Sequence, residues 1–120
     1  MDRRSFLQAS AALTLGVSSL NASAMRGAKV VVIGGGYGGA TAAKYIRLLS
    51  RQRIEVTLVE PEQSFISCPL SNLVIGGSRT LADLSRPYSS LTRHHGISHA
   101  RDTAVAVDPV ARTVKLAGGG

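Results

Sequence analysis

An α/β domain built on a parallel strand–helix–strand unit is the fold this sequence predicts, and three observations predict it. A continuous β-branched run, Lys29-Val30-Val31-Val32-Ile33, leads directly into a glycine-rich stretch, Gly34–Gly39. An alanine-rich segment from Ala40 to Leu49, carrying Ile46, Leu48 and Leu49, has the composition of a helix. A second apolar run, Ile54–Val59, ends on an acid, Glu60.

The elements follow in chain order. Residues 1–24 have the three-part layout of an export signal: Arg3-Arg4, an uncharged stretch from Ala9 to Leu20, and a small-x-small site at Ala22-Ser23-Ala24. The apolar stretch is too short to span a bilayer. Arg3-Arg4-Ser5-Phe6-Leu7 resembles the twin-arginine signal, whose route carries folded proteins. The expectation is therefore a periplasmic protein cleaved after Ala24, with no membrane span and with residues 25–120 retained. The alternatives are an uncleaved amphipathic helix or a start at Met25. The chain stops at Gly118-Gly119-Gly120 just after a predicted strand, so the retained part reads as the N-terminal portion of a longer domain or a truncated product.

Lys29–Ile33 suits a strand buried on both faces of a parallel sheet. The glycines after it sit where a Rossmann-type dinucleotide fingerprint requires them. Gly34 permits the tight turn, Gly36 lets the backbone approach a pyrophosphate, and Gly39 lets the helix pack on the strand. Free N–H groups at the helix start then face the pyrophosphate, aided by the helix dipole. Gly34, Gly35, Gly36, Tyr37, Gly38 and Gly39 are the candidate cofactor-binding residues here, with Tyr37 either contacting cofactor or packing at the loop. Glu60, at the tip of the second strand, is placed to accept hydrogen bonds from ribose hydroxyls and to repel a 2′-phosphate, which disfavours NADP. The fingerprint stands at the start of the mature chain, as the FAD fingerprint does in flavoproteins that bind two dinucleotides. FAD is therefore the expected cofactor.

Beyond Pro61, residues 63–77 show no clean period and read as an ordered loop with a short helix near Leu70–Ile75. Thr80 to Leu84 reads as a helical turn with capping-box spacing, Asp83 replacing the usual Glu. Tyr88 to His95 reads as a helix stopped by Gly96, and Ile97 to Ala100 as a strand. Thr103–Val107 and Thr113–Leu116, joined through Asp108-Pro109, read as a β-hairpin.

Composition excludes several functions. The net charge is +7, yet the arginines are scattered and there is no Trp, so a nucleic-acid partner is not expected. A solvated basic face is the plainer account. His94, His95 and His99 lie close together without an acid or cysteine at ligand spacing, so no metal is expected. One cysteine, Cys68, allows no disulfide within the chain.

The segments Val30–Ile46, Glu55–Pro61, Cys68-Pro69-Leu70-Ser71-Asn72 and Val74–Gly77 together resemble the flavoprotein subunit of flavocytochrome c sulfide dehydrogenases and, less closely, sulfide:quinone oxidoreductases. The resemblance covers nearly all of residues 28–117, and the Cys68 segment is its most selective part. It implies an FAD-dependent oxidoreductase that passes electrons from a small sulfur compound to a c-type cytochrome subunit or soluble acceptor. It also implies that Cys68 is joined through a thioether to the 8α-methyl of the FAD. The sulfide-oxidising cysteine pair of that family lies downstream of these residues, so no catalytic residue is carried over. Pro69 stands where an aromatic is expected, which leaves the electron donor open. Two other roles for Cys68 remain: a redox-active thiol beside the flavin, or a small buried apolar side chain. Two other functions remain as well: an NAD(P)H-dependent flavin or disulfide reductase, and a nucleotide-binding fragment without independent activity.

Overall fold

Three parallel strands form the sheet of the computed structural model, which describes residues 27–119. The export-signal segment, residues 1–24, lies outside the described residues. Strand β1 (Lys29–Ile33) is followed by helix α1 (Tyr37–Leu49) and strand β2 (Glu55–Val59), which pairs with β1 in parallel from Lys29↔Glu55 to Ile33↔Val59. A short ribbon comes next: β3 (Ser64–Ile66) pairs antiparallel with β4 (Ser85–Pro87). Between its strands lie a 3₁₀ turn (Cys68–Leu70), α2 (Ser71–Ile75) and α3 (Leu81–Leu84). Helix α4 (Ser89–His95) then leads to β5 (Ser98–Ala100), which joins the far side of β2 in parallel. A hairpin of β6 (Ala104–Asp108) and β7 (Thr113–Leu116) ends the described chain.

The sheet order is β1-β2-β5, so all three strands point their C-terminal ends to one edge. The core beneath the sheet comprises Ala43, Val56, Leu58, Tyr88 and Ile97, with Val30, Val32, Ile46 and Leu91 packed against it. Each of these apolar residues removed from water contributes of order 1–3 kcal/mol.

One expectation for β1 is corrected. Its burial alternates, and Val31 and Ile33 remain 46% and 50% exposed. The cause is that α1 covers the face presenting Val30 and Val32, and nothing among the described residues covers the other. A second correction is the β3–β4 ribbon, since the sequence places Ser64–Ile66 within a loop and predicts no strand at Ser85–Pro87. The other elements fall close to expectation, with α1 beginning at Tyr37 rather than Ala40. Gly96 stops α4 in the left-handed region at φ +63°. Asp83 accepts hydrogen bonds from the Thr80 N–H at 2.8 Å and the Thr80 hydroxyl at 2.9 Å, completing the start of α3.

Arg47 departs from the picture of a solvated basic face. From the last turn of α1 its guanidinium donates to the carbonyls of His95, Gln52 and Ile54 at 2.9, 2.9 and 2.6 Å, and to the Gln52 side-chain oxygen at 2.8 Å. It joins the end of α1 to the end of α4 and to the entry of β2. Among the described residues no helix is long and apolar enough to cross a membrane.

Candidate functional site

The carboxyl edge of a parallel sheet is where open α/β folds hold their ligands, because loops from adjacent strands diverge there. In this chain the loop leaving β1 at that edge is the glycine stretch. Gly34 takes φ +91°, a conformation open to glycine without cost, and its N–H continues the ladder to the Val59 carbonyl at 2.9 Å. Gly36 is the N-cap of α1, in extended conformation. The first helical hydrogen bond runs from Ala40 N–H to the Gly36 carbonyl at 2.9 Å, so the N–H groups of Tyr37, Gly38 and Gly39 have no partner within the helix. No acid sits in that first turn. The helix start therefore presents uncompensated donors and the positive end of a 13-residue dipole.

The glycines differ in what they permit. A side-chain carbon on Gly39 would overlap the Gly34 carbonyl, so Gly39 is what allows α1 to lie against the end of β1. A side-chain carbon on Gly36 would meet only Phe65 Cε2, at 3.9 Å, so the space above Gly36 is open to a ligand. Gly35 is closed for another reason: its missing side chain is replaced by the Tyr88 ring, and the Tyr88 hydroxyl donates to the Gly35 carbonyl at 2.9 Å. Tyr88 is 3% exposed and props the loop from below. Burial first, then the charges of Glu60 and Glu62, push its hydroxyl above the ordinary value of 10.0.

Glu60 leaves β2 directly beside this loop. Its carboxylate accepts from the Gly35 N–H at 2.8 Å and from the Glu62 N–H at 3.2 Å. Its own backbone is fixed on the other side, with its N–H donating to the Ala100 carbonyl at 3.0 Å and its carbonyl 2.9 Å from His99 Nε2. A carbonyl partner fixes the proton on Nε2. The His99 ring also packs edge-on to Tyr88, centroids 5.1 Å apart. Glu60, Glu62, Gly36, Phe65 and Tyr88 line a cleft of about 390 Å³, which continues the open space over the glycine loop.

Cys68 is exposed and opens the 3₁₀ turn after β3. Its neighbour is bonded to the glycine loop: the Ser67 hydroxyl hydrogen-bonds the hydroxyl of Tyr37, the first residue of α1. The Tyr37 ring also meets Phe65 edge-on, centroids 4.7 Å apart and planes at 75°. Thus Gly34–Gly39, Glu60 and, one residue removed, Cys68 share one edge of the sheet. Among the described residues no group of three or more His, Cys, Asp or Glu side chains could hold a metal ion.

Sequence reasoning missed Tyr88 and Ser67. Tyr88 stands three residues before Leu91 and seven before His95 on a helical period, which would have marked it as the inward face. Ser67 carries no local signal. The residues present fit a dinucleotide: open space over Gly36, free donors at a helix start, and an ordered carboxylate beside them.

These features define a Rossmann-type α/β domain of the flavoprotein kind. Residues 28–119 match the family model for pyridine nucleotide-disulphide oxidoreductases, and the chain belongs to that family. Among curated proteins it is similar to the sulfide dehydrogenase [flavocytochrome c] flavoprotein chain of Chlorobaculum thiosulfatiphilum, 59% identical over 46 residues, which is 38% of this chain and 94% of that one. It is also similar to the sulfide-quinone reductase of Aquifex aeolicus (strain VF5), 33% identical over 90 residues, 75% of this chain and 21% of the relative. Among solved structures, the sulfide:quinone oxidoreductase of Aquifex aeolicus superposes with a TM-score of 0.71 at 32% identity, over 78% of this chain and 21% of that one. The chain thus spans about a fifth of the length of the Aquifex relatives.

Proposed function

We propose that this chain binds FAD at the carboxyl edge of its sheet and belongs to an oxidoreductase acting on a reduced sulfur compound. The observation that carries the reading is the juxtaposition of the free donors of α1, from Tyr37 to Gly39, with the Glu60 carboxylate held on Gly35. The donors suit the pyrophosphate and the carboxylate suits the adenosine ribose. When bound, FAD supplies the two-electron redox chemistry. The chain's own residues bind it, orient it and keep its ribose end ordered. The similarity to the sulfide dehydrogenase and sulfide-quinone reductase chains supports a sulfur compound as donor. A c-type cytochrome as acceptor is the finer reading, favoured by the 59% identity to the flavocytochrome chain.

Cys68 is proposed as the covalent anchor, its sulfur joined to the 8α-methyl carbon of the flavin. Forming that bond releases one proton from the thiol and one from the methyl. With FAD held there, the bond would need a two-electron oxidant such as dioxygen to take up the electron pair. The export signal read at residues 1–24 supports a periplasmic site of action, reached after folding.

The test is to load the full chain with FAD, denature it in acid and measure the yellow colour that stays with the polypeptide. Flavin retained in wild type and released in Cys68→Ser supports the anchor, and complete release from wild type overturns it. Failure of the chain to quench FAD fluorescence on titration would overturn the cofactor reading itself. An NAD(P)H-dependent reductase is the second reading, favoured by the family match at residues 28–119. It predicts rapid bleaching of bound flavin by NADH, whereas the preferred reading predicts bleaching by sulfide.

A further inference from the structure

We infer that Tyr37 is a positioning residue that sets the Cys68 turn against the glycine loop, an inference that rests on the reading of Cys68 as the flavin anchor. Tyr37 occupies an unusual place, the first residue of α1 directly after Gly36, and is 54% exposed. An exposed ring at a helix start is free to swing unless something holds it, and two contacts hold this one. Phe65, on β3, meets the ring edge-on with centroids 4.7 Å apart. Ser67, immediately before Cys68, hydrogen-bonds the phenolic hydroxyl.

The other end of the linkage is equally constrained. The Ser67 N–H donates to the Leu84 carbonyl at 3.0 Å, extending the β3–β4 ribbon by one residue. Ser67 is also the N-cap of the 3₁₀ turn that opens with Cys68, and Pro69 follows with its ring fixing φ. Cys68 therefore sits between a tethered residue and a rigid one. The only side-chain bond from this tether to the glycine loop, among the described residues, is the Tyr37–Ser67 hydroxyl pair. Without it, the turn is held to the ribbon but not to the helix start where the pyrophosphate is expected. Tyr37 also walls a cleft of about 340 Å³ with Gly36, Thr41, Phe65 and Tyr88, so its ring marks the boundary between cofactor space and the Cys68 turn.

Bond formation between two held groups is sensitive to placement, and a shift of about 1 Å costs of order a hundredfold in rate. Tyr37→Phe keeps the ring and its packing on Phe65 but loses the hydroxyl, and Ser67→Ala loses the partner. Each should slow acid-stable flavin incorporation into the full chain about ten- to hundredfold, and Ser67→Ala should do so with its affinity for FAD near that of wild type. The double variant should be no slower than either single one, because both remove the same bond.

A second readout needs no flavin. Cys68 is the only cysteine in the chain, so a nitroxide label placed there reports the motion of this turn alone. The electron paramagnetic resonance lines of the label should narrow in Tyr37→Phe and in Ser67→Ala by the same amount. If wild type retains flavin in acid but Tyr37→Phe incorporates it at the same rate, the inference is overturned while the anchor stands. If wild type releases all its flavin, the anchor falls and this role of Tyr37 falls with it. Equal line widths in wild type and both variants would overturn the tether itself.

Discussion

Two adjacent glycines, Gly38 and Gly39, should respond to the same substitution with opposite signs. A side-chain carbon on Gly38 meets nothing within 4 Å, and the residue lies inside α1 with ordinary helical geometry. Alanine there removes conformational freedom from the unfolded chain and stabilises by up to about 1 kcal/mol. On Gly39 the same carbon would overlap the Gly34 carbonyl. That carbonyl cannot swing aside, because Gly34 is tied to Val59 through its N–H and Gly35 is tied at both its N–H and its carbonyl. The helix must give way instead. Ala43, one turn further along the same face and fully buried, would be lifted from the sheet with it. Overpacking of this kind costs about 1–3 kcal/mol, and the gain in helix propensity offsets only about 1 of that. In a domain of this size each kcal/mol moves the melting temperature by roughly 4–8 °C. Circular dichroism melts of the full chain should therefore place Gly38→Ala at or above wild type and Gly39→Ala several degrees below. Should Gly39→Ala melt at or above wild type, the claim that helix and strand touch through that glycine would be refuted.

Further outcomes follow from the same geometry. Gly36→Ala has no backbone cost at φ −63° and should leave stability within about 0.5 kcal/mol while weakening FAD binding in a fluorescence titration. Glu60→Gln keeps an acceptor for the Gly35 N–H but loses the charge, and should raise the FAD dissociation constant about five- to tenfold, roughly 1 kcal/mol. Tyr88→Phe strands the buried Gly35 carbonyl and should destabilise by about 1–3 kcal/mol in urea unfolding. Tyr88 also predicts an alkaline limit. Its folded value is raised, so its contribution is complete below the unfolded value of about 10 and is lost as pH rises through the folded value. Absorbance titration at alkaline pH should show one late-ionising tyrosine that vanishes in Tyr88→Phe. At the acid end, Asp83 is held below its ordinary 3.8 chiefly by its backbone and side-chain hydrogen bonds to Thr80. Its cap on α3 is complete above the unfolded value of 3.8 and is lost as pH falls through the lower folded value, which NMR titration of the Thr80 amide would follow.

The β1–α1–β2 unit was legible because its signals are local. A β-branched run, glycines at fixed offsets and a terminal acid each constrain the backbone within a few residues. The β3–β4 ribbon was not legible for the opposite reason. Ser64-Phe65-Ile66 and Ser85-Arg86-Pro87 are too short to show a period, and Pro87 argues against a strand. Only their pairing across some twenty residues makes them strands, and pairing of that kind leaves no mark on either segment alone. The site shows the same division. Gly34–Gly39 and Glu60 are candidates that spacing alone marks, whereas Tyr88 and Ser67 are tied to the same loop through partners 53 and 30 residues away. The misjudged burial of β1 has a plainer origin: a continuous apolar run says that a strand can be covered on both faces, not that both covers are present in the same stretch of chain.

Arg47 gives the sheet's underside a mechanical character that its place on the helix surface conceals. One guanidinium on the tail of α1 serves four acceptors in two other segments, the lead into β2 and the last residue of α4, and so ties three segments together. Opening any one of those segments breaks bonds made to the others. In hydrogen-exchange terms the three segment ends should behave as a single opening unit, their amides sharing one protection factor instead of fraying separately. The carboxyl edge, with its glycine loop, would then sit on a base that holds or lets go as a whole.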